Sequence, residues 1–409
     1  MATCCVENYD DLRRTIEESD KSYDLEKIKQ AYELAYKAHG NQLRKSGDPY
    51  ICHPISVAII LVGLGMDSDC ICAALLHDVV EDTDIPLEQI TKQFGSEVAL
   101  MVDGVTKLGQ IPLSTREEQQ AENVRKMLLA MNQDIRVIII KLADRLHNMR
   151  TMMFQPPDKQ RSKSLEVMEI YAPIAHRLGI RGVKDELEDL ALRYLDPIGY
   201  QEIEDKLELD KADRRAYIQR VQERISVRLK DFDVEANISG RVKSIYGIYR
   251  KVYMAGKQFE EIYDVYAVRI IVNTVIECYN ILGIIHDLFT PIPNRFKDYI
   301  STPKPNMYRS LHTTVIDKEG IPFEIQIRTW DMHYTAEYGI AAHWKYKAGI
   351  QGKDRLEDRL AWIRKIIESA QDSEEDIVKN IKTDLSADDV FVFTPKGDVK
   401  SLPAGSTII

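Results

Sequence analysis

The chain has 409 residues, of which 44% are hydrophobic and 29% are charged, and its net charge at pH 7 is −10. These values are typical of a folded protein of two or three domains, and they exclude a mostly disordered or collagen-like chain. The negative charge argues against binding of duplex nucleic acid over the whole surface, so any site for polyanions must be local. The sequence shows no apolar run of membrane-spanning length, no signal-peptide pattern and no CxxC pair among its six cysteines. We therefore predict a cytoplasmic protein with reduced thiols and no membrane partner.

Residues 24–195 carry apolar side chains at spacings of three and four, which is typical of amphipathic helices. Turn-forming residues predict breaks between the helices, at residues 47–49, 83–86, 111–112 and 156–157. We predict an all-α domain over residues 1–195 and a charged helical connector over residues 196–231.

From about residue 232 the apolar residues alternate as in β-strands, in segments such as YDVYAVRIIV and PFEIQIRT. Helical segments such as ECYNILGIIHDLF lie between them. We predict an α+β domain with a mixed sheet over residues 232–350 and a charged helical linker over residues 351–386. Residues 387–409 are expected to form a hairpin that opens a further, truncated domain.

A stripe of polar residues follows the apolar segment that ends at Leu76. On a helical wheel, His77, Asp78, Glu81 and Asp82 share one side, opposite the leucines and valines. A solvated acidic face is the common explanation for such a stripe. Two further features favour a buried site, namely His53 before a proline and Asp144 inside a very apolar segment, where an unpaired charge would be costly.

Two histidines and two aspartates form a mixed nitrogen and oxygen ligand set for a divalent ion, and spacing does not choose among Mn, Fe, Zn and Mg. The predicted ligands are His53, His77, Asp78 and Asp144. Such an ion would lower the pKa of bound water and polarise a phosphoryl oxygen. Glu81 and Asp82 are candidates to orient or deprotonate that water, and Asn148 and Thr151 are expected to face the same cleft. Three other histidines are interpreted as structural: His39, His147 and His176.

This pattern resembles the H…HD…D signature of the HD phosphohydrolases. The strings RKSGDPYICHP, LLHDVVEDT and KLADRLHNMRT resemble the hydrolase domain of the RelA/SpoT homologue family. The resemblance implies a Mn²⁺-dependent hydrolase that removes pyrophosphate from the 3′ position of guanosine tetraphosphate or pentaphosphate. It also implies that Arg44 and Lys45 form a basic pair near the nucleotide, with Asn148 and Thr151 as further contacts.

A second candidate site lies at residues 241–309, which carry ten Lys or Arg and six Asp or Glu. This local surplus of cations is explained either by a solvated basic face or by a polyphosphate site. Asp264 and Glu324, each on a predicted strand, could share Mg²⁺ beside a triphosphate. Strand alternation places Arg269 on the face opposite Asp264 unless a bulge intervenes.

The strings GRVKSIYGIYRK, RFKDYISTPKPNMYRSLHTTV and EIQIRTWDMHYTAEYGIAAHWKYK resemble the nucleotidyltransferase-like synthetase domain of the same family. The resemblance implies transfer of pyrophosphate from ATP to the 3′-hydroxyl of GDP or GTP. It implies that Asp264 binds Mg²⁺, that Glu324 assists the metal or acts as base, and that Tyr308 stacks on guanine. The residues implied to hold ATP are Arg241, Lys243, Lys251 and Arg269. Those implied to surround the acceptor nucleotide are Lys297, Lys304, Asn306 and His312.

The segment Arg295–Asp298 matches an RxKD form associated with bifunctional members of the family, and the last residues resemble the opening hairpin of a TGS domain. We therefore predict a bifunctional alarmone synthetase and hydrolase of the stringent response. A longer form is expected to be linked to the ribosome or to tRNA through its C-terminal region. The alternatives are a hydrolase with an inactive synthetase domain and a nucleotide-sensing module.

Overall fold

The computed structural model describes residues 7–109, 133–209, 211–304 and 306–342, together with the strands 389–393 and 399–403. The chain divides into two compact units, one formed mainly by Met1–Ile174 and the other mainly by Ala175–Gly339. The predicted break at residues 111–112 and the predicted helical linker over residues 351–386 lie outside the described residues. None of the described helices combines the length and the apolar character that a membrane crossing requires.

The first unit is helical throughout its described part, which confirms the all-α prediction. Its helices are α1 (Tyr9–Glu17), α2 (Leu25–His39), α3 (Cys52–Gly63), α4 (Ser68–Leu76), α5 (Val79–Asp82), α6 (Leu87–Phe94), α7 (Ser96–Gly109), α8 (Ile135–Arg150) and α9 (Pro157–Glu166). A π-helical turn at Val167–Tyr171 follows α9. Apolar residues of α3, α4 and α8 are almost all buried, so these three helices form much of the core that surrounds the first candidate site.

The predicted helix over residues 75–82 is interrupted, and this corrects the helical-wheel prediction. α4 ends at Leu76 and α5 begins at Val79, so His77 and Asp78 lie in a turn between them. In a continuous helix the carbonyl of Ala74 would accept the N–H of Asp78. Here it accepts Nδ1–H of His77 at 2.7 Å, a side-chain hydrogen bond that competes with the helix.

The second unit contains a six-stranded mixed sheet in the order β1-β2-β6-β5-β3, with β4 paired to β5. Its strands are β1 (Asn237–Val242), β2 (Tyr266–Val272), β3 (Thr290–Pro291), β4 (Lys297–Asp298), β5 (Leu311–Ile316) and β6 (Pro322–Thr329). β2 and β6 are parallel, and the other pairs are antiparallel, which confirms the predicted mixed sheet. The register aligns Arg269 with Gln326 and His312 with the same glutamine, so residues of three strands meet on one face.

Helices pack on this sheet. The helices in contact with its strands are α13 (Lys211–Asp231), α15 (Val275–Leu288) and α16 (Trp330–Tyr338). The helices α11 (Arg181–Leu195), α12 (Pro197–Leu209) and α14 (Ile245–Tyr249) contact one another, and α10 (Ala172–Arg177) contains the division between the units. Five residues of α13 join the core with β2, β5, β6 and α15: Tyr217, Ile218, Val221, Ile225 and Leu229. This compact unit therefore begins before the predicted boundary at residue 195 and includes the residues predicted as a connector.

Strand β2 begins at Tyr266, so Asp264 lies in the turn before it. The prediction of Asp264 on the strand is therefore wrong, and the conflict between the faces of Asp264 and Arg269 does not arise. Near the C-terminus, β7 (Asp389–Phe393) and β8 (Val399–Pro403) pair into a two-stranded sheet at the position of the predicted hairpin.

Candidate active sites

The first site is a buried group of three side chains from three helical segments. His53 comes from α3, His77 from the turn after α4, and Asp144 from α8. One ligand atom from each lies within 4.8 Å of the others, and all three residues are buried. The carboxylate of Asp78 borders the group, with an oxygen 3.2 Å from Nε2 of His77 and another 3.7 Å from Nε2 of His53. The structure thus brings the four predicted metal ligands together.

Hydrogen bonds at Nδ1 fix the tautomer of both imidazoles, so that in each the lone pair lies on Nε2 and can bind a metal. Nδ1 of His77 donates to a backbone carbonyl, so Nε2 keeps its lone pair, and among the residues that the structure describes this buried nitrogen has no hydrogen-bond partner. Arginine only donates, so the contact of Arg44 with Nδ1 of His147 at 3.1 Å makes that nitrogen an acceptor. Nδ1 of His53 lies 2.7 Å from the same nitrogen and must donate to it, so the lone pair of His53 lies on Nε2, which is 3.2 Å from Oδ1 of Asp144, the next candidate ligand.

Charges at the group agree with this assignment. Burial lowers the pKa of His53, which favours the neutral imidazole. Burial opposes ionisation of Asp144, but Lys141 and His53 outweigh it and hold the pKa of that carboxyl well below its ordinary value. A neutral His53 beside an ionised Asp144 is the form in which these residues ligate a divalent metal, so the site fits one.

Tyr50 connects two of the acidic residues and was not singled out from the sequence. Its hydroxyl lies 2.9 Å from an oxygen of Asp78 and 2.9 Å from an oxygen of Asp82. Burial and these two carboxylates raise the pKa of Tyr50, so the phenol stays protonated. Glu81 lies nearby at the surface, where burial and then Asp78 raise the pKa of its carboxyl. This arrangement places a carboxyl of raised pKa near the candidate metal group.

The predicted nucleotide contacts of the first site meet at Arg44. Its guanidinium donates to Oδ1 of Asn148 at 2.9 Å and to Oγ1 of Thr151 at 3.4 Å. Asn148 in turn donates to Oδ1 of Asp144 at 2.6 Å. Lys45 does not join this group, because its ammonium donates to Gln155 at 2.9 Å.

Two residues of α8 that the sequence interpretation left without a role also touch the site. His147 contacts both His53 and Arg44, and burial, followed by these two neighbours, lowers its pKa to about 2. The ammonium of Lys141 lies 2.9 Å from Oδ2 of Asp144. Both were detectable in principle, because Lys141 and His147 lie one turn away from Asp144 on a helix.

The second site is a cavity of about 340 Å³ in the second unit. Nine of its lining residues are Lys or Arg and four are Asp or Glu, so the lining is cationic. The predicted residues that line it are Arg241, Lys243, Lys251, Asp264, Lys297, Lys304, Asn306, Tyr308, His312 and Glu324. Arg269 does not line the cavity, since its guanidinium lies 2.9 Å from Oε1 of Glu337. The cavity also includes Arg181, Lys184 and Asp185 from α11, which the sequence did not indicate.

Asp264 is held by two lysines. The ammonium of Lys243 lies 2.7 Å from Oδ2, and the ammonium of Lys251 lies 2.7 Å from Oδ1. Although burial opposes ionisation, the lysines lower the pKa of Asp264 to about 2. The carboxylate is therefore ionised and neutralised by two ammonium groups.

A hydrogen-bonded chain joins Tyr308 to the strand that carries Glu324. The hydroxyl of Tyr308 lies 2.7 Å from Nε2 of His312, whose Nδ1 lies 3.3 Å from Oε1 of Glu324. Gln326 donates to Glu324 at 2.7 Å and accepts from Arg328 at 2.7 Å. The guanidinium of Arg328 is fully buried and lies 5.5 Å from the centre of the Tyr308 ring, which closes the chain.

This chain of contacts lowers the pKa of Tyr308 to about 7, because Arg328, His312 and Arg181 together outweigh the effect of burial. Burial opposes ionisation of Glu324 as well, but His312 lowers its pKa, so Glu324 carries a negative charge. The cavity thus combines an aromatic platform, a buried carboxylate and many cations, which is an arrangement suited to nucleotides and their phosphates.

The fold and the two sites define a protein with an HD-type helical unit and a separate α+β unit that contains a cation-rich cavity. Residues 31–181 match the model of the HD domain, and residues 240–351 match the model of a region found in RelA / SpoT proteins. With both matches and the close relatives described next, the chain belongs to the RelA/SpoT family.

Three relatives cover nearly the whole chain. The GTP pyrophosphokinase of Myxococcus xanthus is 48% identical over 398 residues, which is 96% of this chain and 53% of that protein. The probable guanosine-3′,5′-bis(diphosphate) 3′-pyrophosphohydrolase of Synechocystis is 50% identical over 387 residues, covering 93% and 51%. The bifunctional (p)ppGpp synthase/hydrolase SpoT of Escherichia coli is 45% identical over 386 residues, covering 94% and 55%. The chain therefore spans about half the length of the curated relatives that it matches.

Proposed function

We propose that the chain is a bifunctional alarmone enzyme of the stringent response. At the first site it hydrolyses (p)ppGpp to GDP or GTP and pyrophosphate, and at the second it transfers pyrophosphate from ATP to the 3′-hydroxyl of GDP or GTP. The proposal rests on one observation, that each unit contains its own group of candidate catalytic residues. One unit has a buried group of His and Asp side chains, and the other has a cation-rich cavity with an ionised Glu324. Relatives that match along nearly the whole chain are named for each of these activities.

The first site would hold Mn²⁺ through His53, His77, Asp78 and Asp144. When bound, the ion supplies a water of low pKa and polarises a phosphoryl oxygen. Arg44 would bind the phosphates of the nucleotide, and Asn148 would fix both Arg44 and Asp144, as their hydrogen bonds indicate. Thr151 would add a contact to the same nucleotide, whereas Lys45 would need to leave Gln155 to reach it.

Glu81 would accept the proton of the attacking water, and Asp82 would help to orient that water. The raised pKa of Glu81 makes it a better base than an ordinary glutamate, because a base is most effective when its pKa lies nearer the working pH. Asp82 would orient the same water, and Tyr50 holds Asp82 and Asp78 at a fixed separation.

The second site would hold Mg²⁺ at Asp264, with Glu324 assisting the metal or accepting the proton of the 3′-hydroxyl. Lys243 and Lys251 would then neutralise the phosphates of ATP. Tyr308 would stack on the guanine of the acceptor. The remaining assignments follow the cavity lining: Arg241 for ATP, and Lys297, Lys304, Asn306 and His312 for the acceptor nucleotide.

A second candidate function is a hydrolase whose synthetase site is inactive. Two observations favour it: both oxygens of Asp264 are paired with lysines, and Arg269, expected to hold ATP, is paired with Glu337 outside the cavity. Ligand binding would have to rearrange both pairs before synthesis.

Product analysis distinguishes these functions. The purified chain is incubated with ATP and GDP in Mg²⁺, and separately with guanosine tetraphosphate in Mn²⁺ or with a chelator, and the nucleotides are resolved by ion-exchange chromatography. The proposal expects guanosine tetraphosphate in the first incubation and metal-dependent GDP in the second. Hydrolysis without synthesis would support the second candidate, and nucleotide binding without either product would support a sensing module. The cytoplasmic location and the link to the ribosome or tRNA stay predictions.

A further inference from the structure

One wall of the second cavity comes from helix α11 and the turn before it, outside residues 240–351 that match the RelA/SpoT region. A Cβ on Gly179 in this turn would lie 3.0 Å from Cα of Gly339 and 3.5 Å from the carbonyl oxygen of Asn306. Gly179 also has a φ of +74°, which favours glycine. This close approach fixes the turn against the segment that carries Tyr308.

Arg181 is the cation on this wall with hydrogen-bonding capacity to spare. Its Nε donates to Asp185 at 3.2 Å, and within the described residues its two Nη atoms have no hydrogen-bond partner. Lys184, by contrast, lies between two carboxylates, at 3.1 Å from Asp185 and 2.7 Å from Glu188. Arg181 therefore has N–H donors available for a ligand in the cavity, whereas the charge of Lys184 is neutralised by Asp185 and Glu188.

The position of Arg181 favours the acceptor nucleotide over ATP. Lys243 and Lys251, which the proposed function gives to ATP, surround Asp264. Arg181 instead follows the turn that packs against Asn306, and its charge acts on the phenol of Tyr308. Arg181 therefore lies on the same side of the cavity as Tyr308.

We propose that Arg181 binds the 5′-phosphates of the acceptor nucleotide, an inference that rests on the proposed synthetase activity. A guanidinium donates two parallel hydrogen bonds to a phosphate, and such charge-assisted bonds are about twice as strong as neutral ones. The ligand class is a nucleoside 5′-diphosphate or triphosphate whose base stacks on Tyr308. α11 would then be part of the acceptor pocket.

The test compares Arg181→Gln with the native chain by calorimetric titration of guanosine, GMP, GDP and ATP in Mg²⁺. The affinity for GDP should fall at least about tenfold and that for GMP less, whereas the affinities for guanosine and ATP should change less than about twofold. Arg181→Lys should recover part of the GDP affinity. Arg193→Gln is the matched control, since Arg193 is exposed on the same helix outside the cavity lining.

Unchanged GDP affinity in Arg181→Gln would overturn the inference, as would an equal loss for guanosine and GDP, which would indicate a base contact or lost packing. A loss confined to ATP would move Arg181 to the donor side. If thermal unfolding shows that Arg181→Gln does not fold, Arg181→Lys decides, with a several-fold loss for GDP and none for guanosine expected. A native chain that binds no GDP would instead refute the proposed synthetase activity.

Discussion

Tyr50 shows how one side chain can organise an acidic site. A single hydroxyl contacts Asp78, a candidate metal ligand, and Asp82, a candidate for orienting water, each at 2.9 Å. The hydroxyl is therefore a shared neighbour of the two carboxylates. We infer that Tyr50 is a positioning residue for hydrolysis.

Tyr50→Phe tests this role, since it removes the hydroxyl that lies between the two carboxylates and keeps the ring. Hydrogen bonds to charged groups contribute about 1.5 to 3 kcal/mol, so kcat for hydrolysis should fall roughly 10- to 150-fold. The bound metal, measured by atomic absorption, should be retained. Tyr36→Phe is the control, because Tyr36 is 56% exposed on α2. A hydrolysis rate within twofold of the native value would contradict the assignment.

Glu81 and Asp82 are expected to act in chemistry rather than in metal binding. The double change Glu81→Gln and Asp82→Asn should leave the ion in place and reduce hydrolysis by about two orders of magnitude or more, as loss of a general base implies. Metal content and turnover are measured on the same sample. Loss of the ion would place these residues among the ligands.

At the scale of elements, residue pattern predicted the helical and mixed-sheet units, because the spacing of apolar residues is a local property. It missed the interruption at His77 and Asp78, since that turn depends on a side-chain hydrogen bond to Ala74. It also missed α11 as a cavity wall. Which helix closes a cavity depends on contacts between residues far apart in the chain, and these leave no local pattern.

Asp189 illustrates such a contact, because it joins α11 to the start of α14. Its oxygens accept the N–H of Tyr246 at 2.7 Å and of Ile245 at 3.2 Å. Burial nevertheless raises the pKa of Asp189 to about 6, outweighing these two hydrogen bonds. The folded chain therefore holds this proton more tightly than the unfolded chain, in which the pKa is near the ordinary value of about 4.

The stability contributed at Asp189 should be fully present below about pH 4 and should be lost as the pH rises to about 6. Asp189→Asn keeps one acceptor and cannot ionise, so the native chain should lose stability relative to this variant over that interval, by on the order of 2 kcal/mol. Urea unfolding of both proteins between pH 4 and pH 7 measures the difference. A difference that stays constant with pH would show that Asp189 ionises equally easily in the folded and unfolded chains, and a change in the opposite direction would show that it ionises more easily in the folded chain.

At the scale of the whole molecule, two opposed reactions are assigned to separate compact units of one chain. The structure brings together most of the residues that sequence motifs predicted for each site, and their roles stay predictions. The sequence could not predict that Arg269 pairs with Glu337, that Lys45 bonds to Gln155, or that Asp264 pairs with two lysines. The partner of a flexible cation is determined only by the packing of the folded chain.

The central claim is that the two activities use independent sites, and one pair of variants tests it most directly. Asp78→Ala and Asp264→Ala are each assayed for hydrolysis of guanosine tetraphosphate and for its synthesis from ATP and GDP. We expect Asp78→Ala to lose hydrolysis by at least about a hundredfold while synthesis persists, and Asp264→Ala to show the reverse. Loss of both activities in either folded variant, or survival of hydrolysis in Asp78→Ala, would contradict the account.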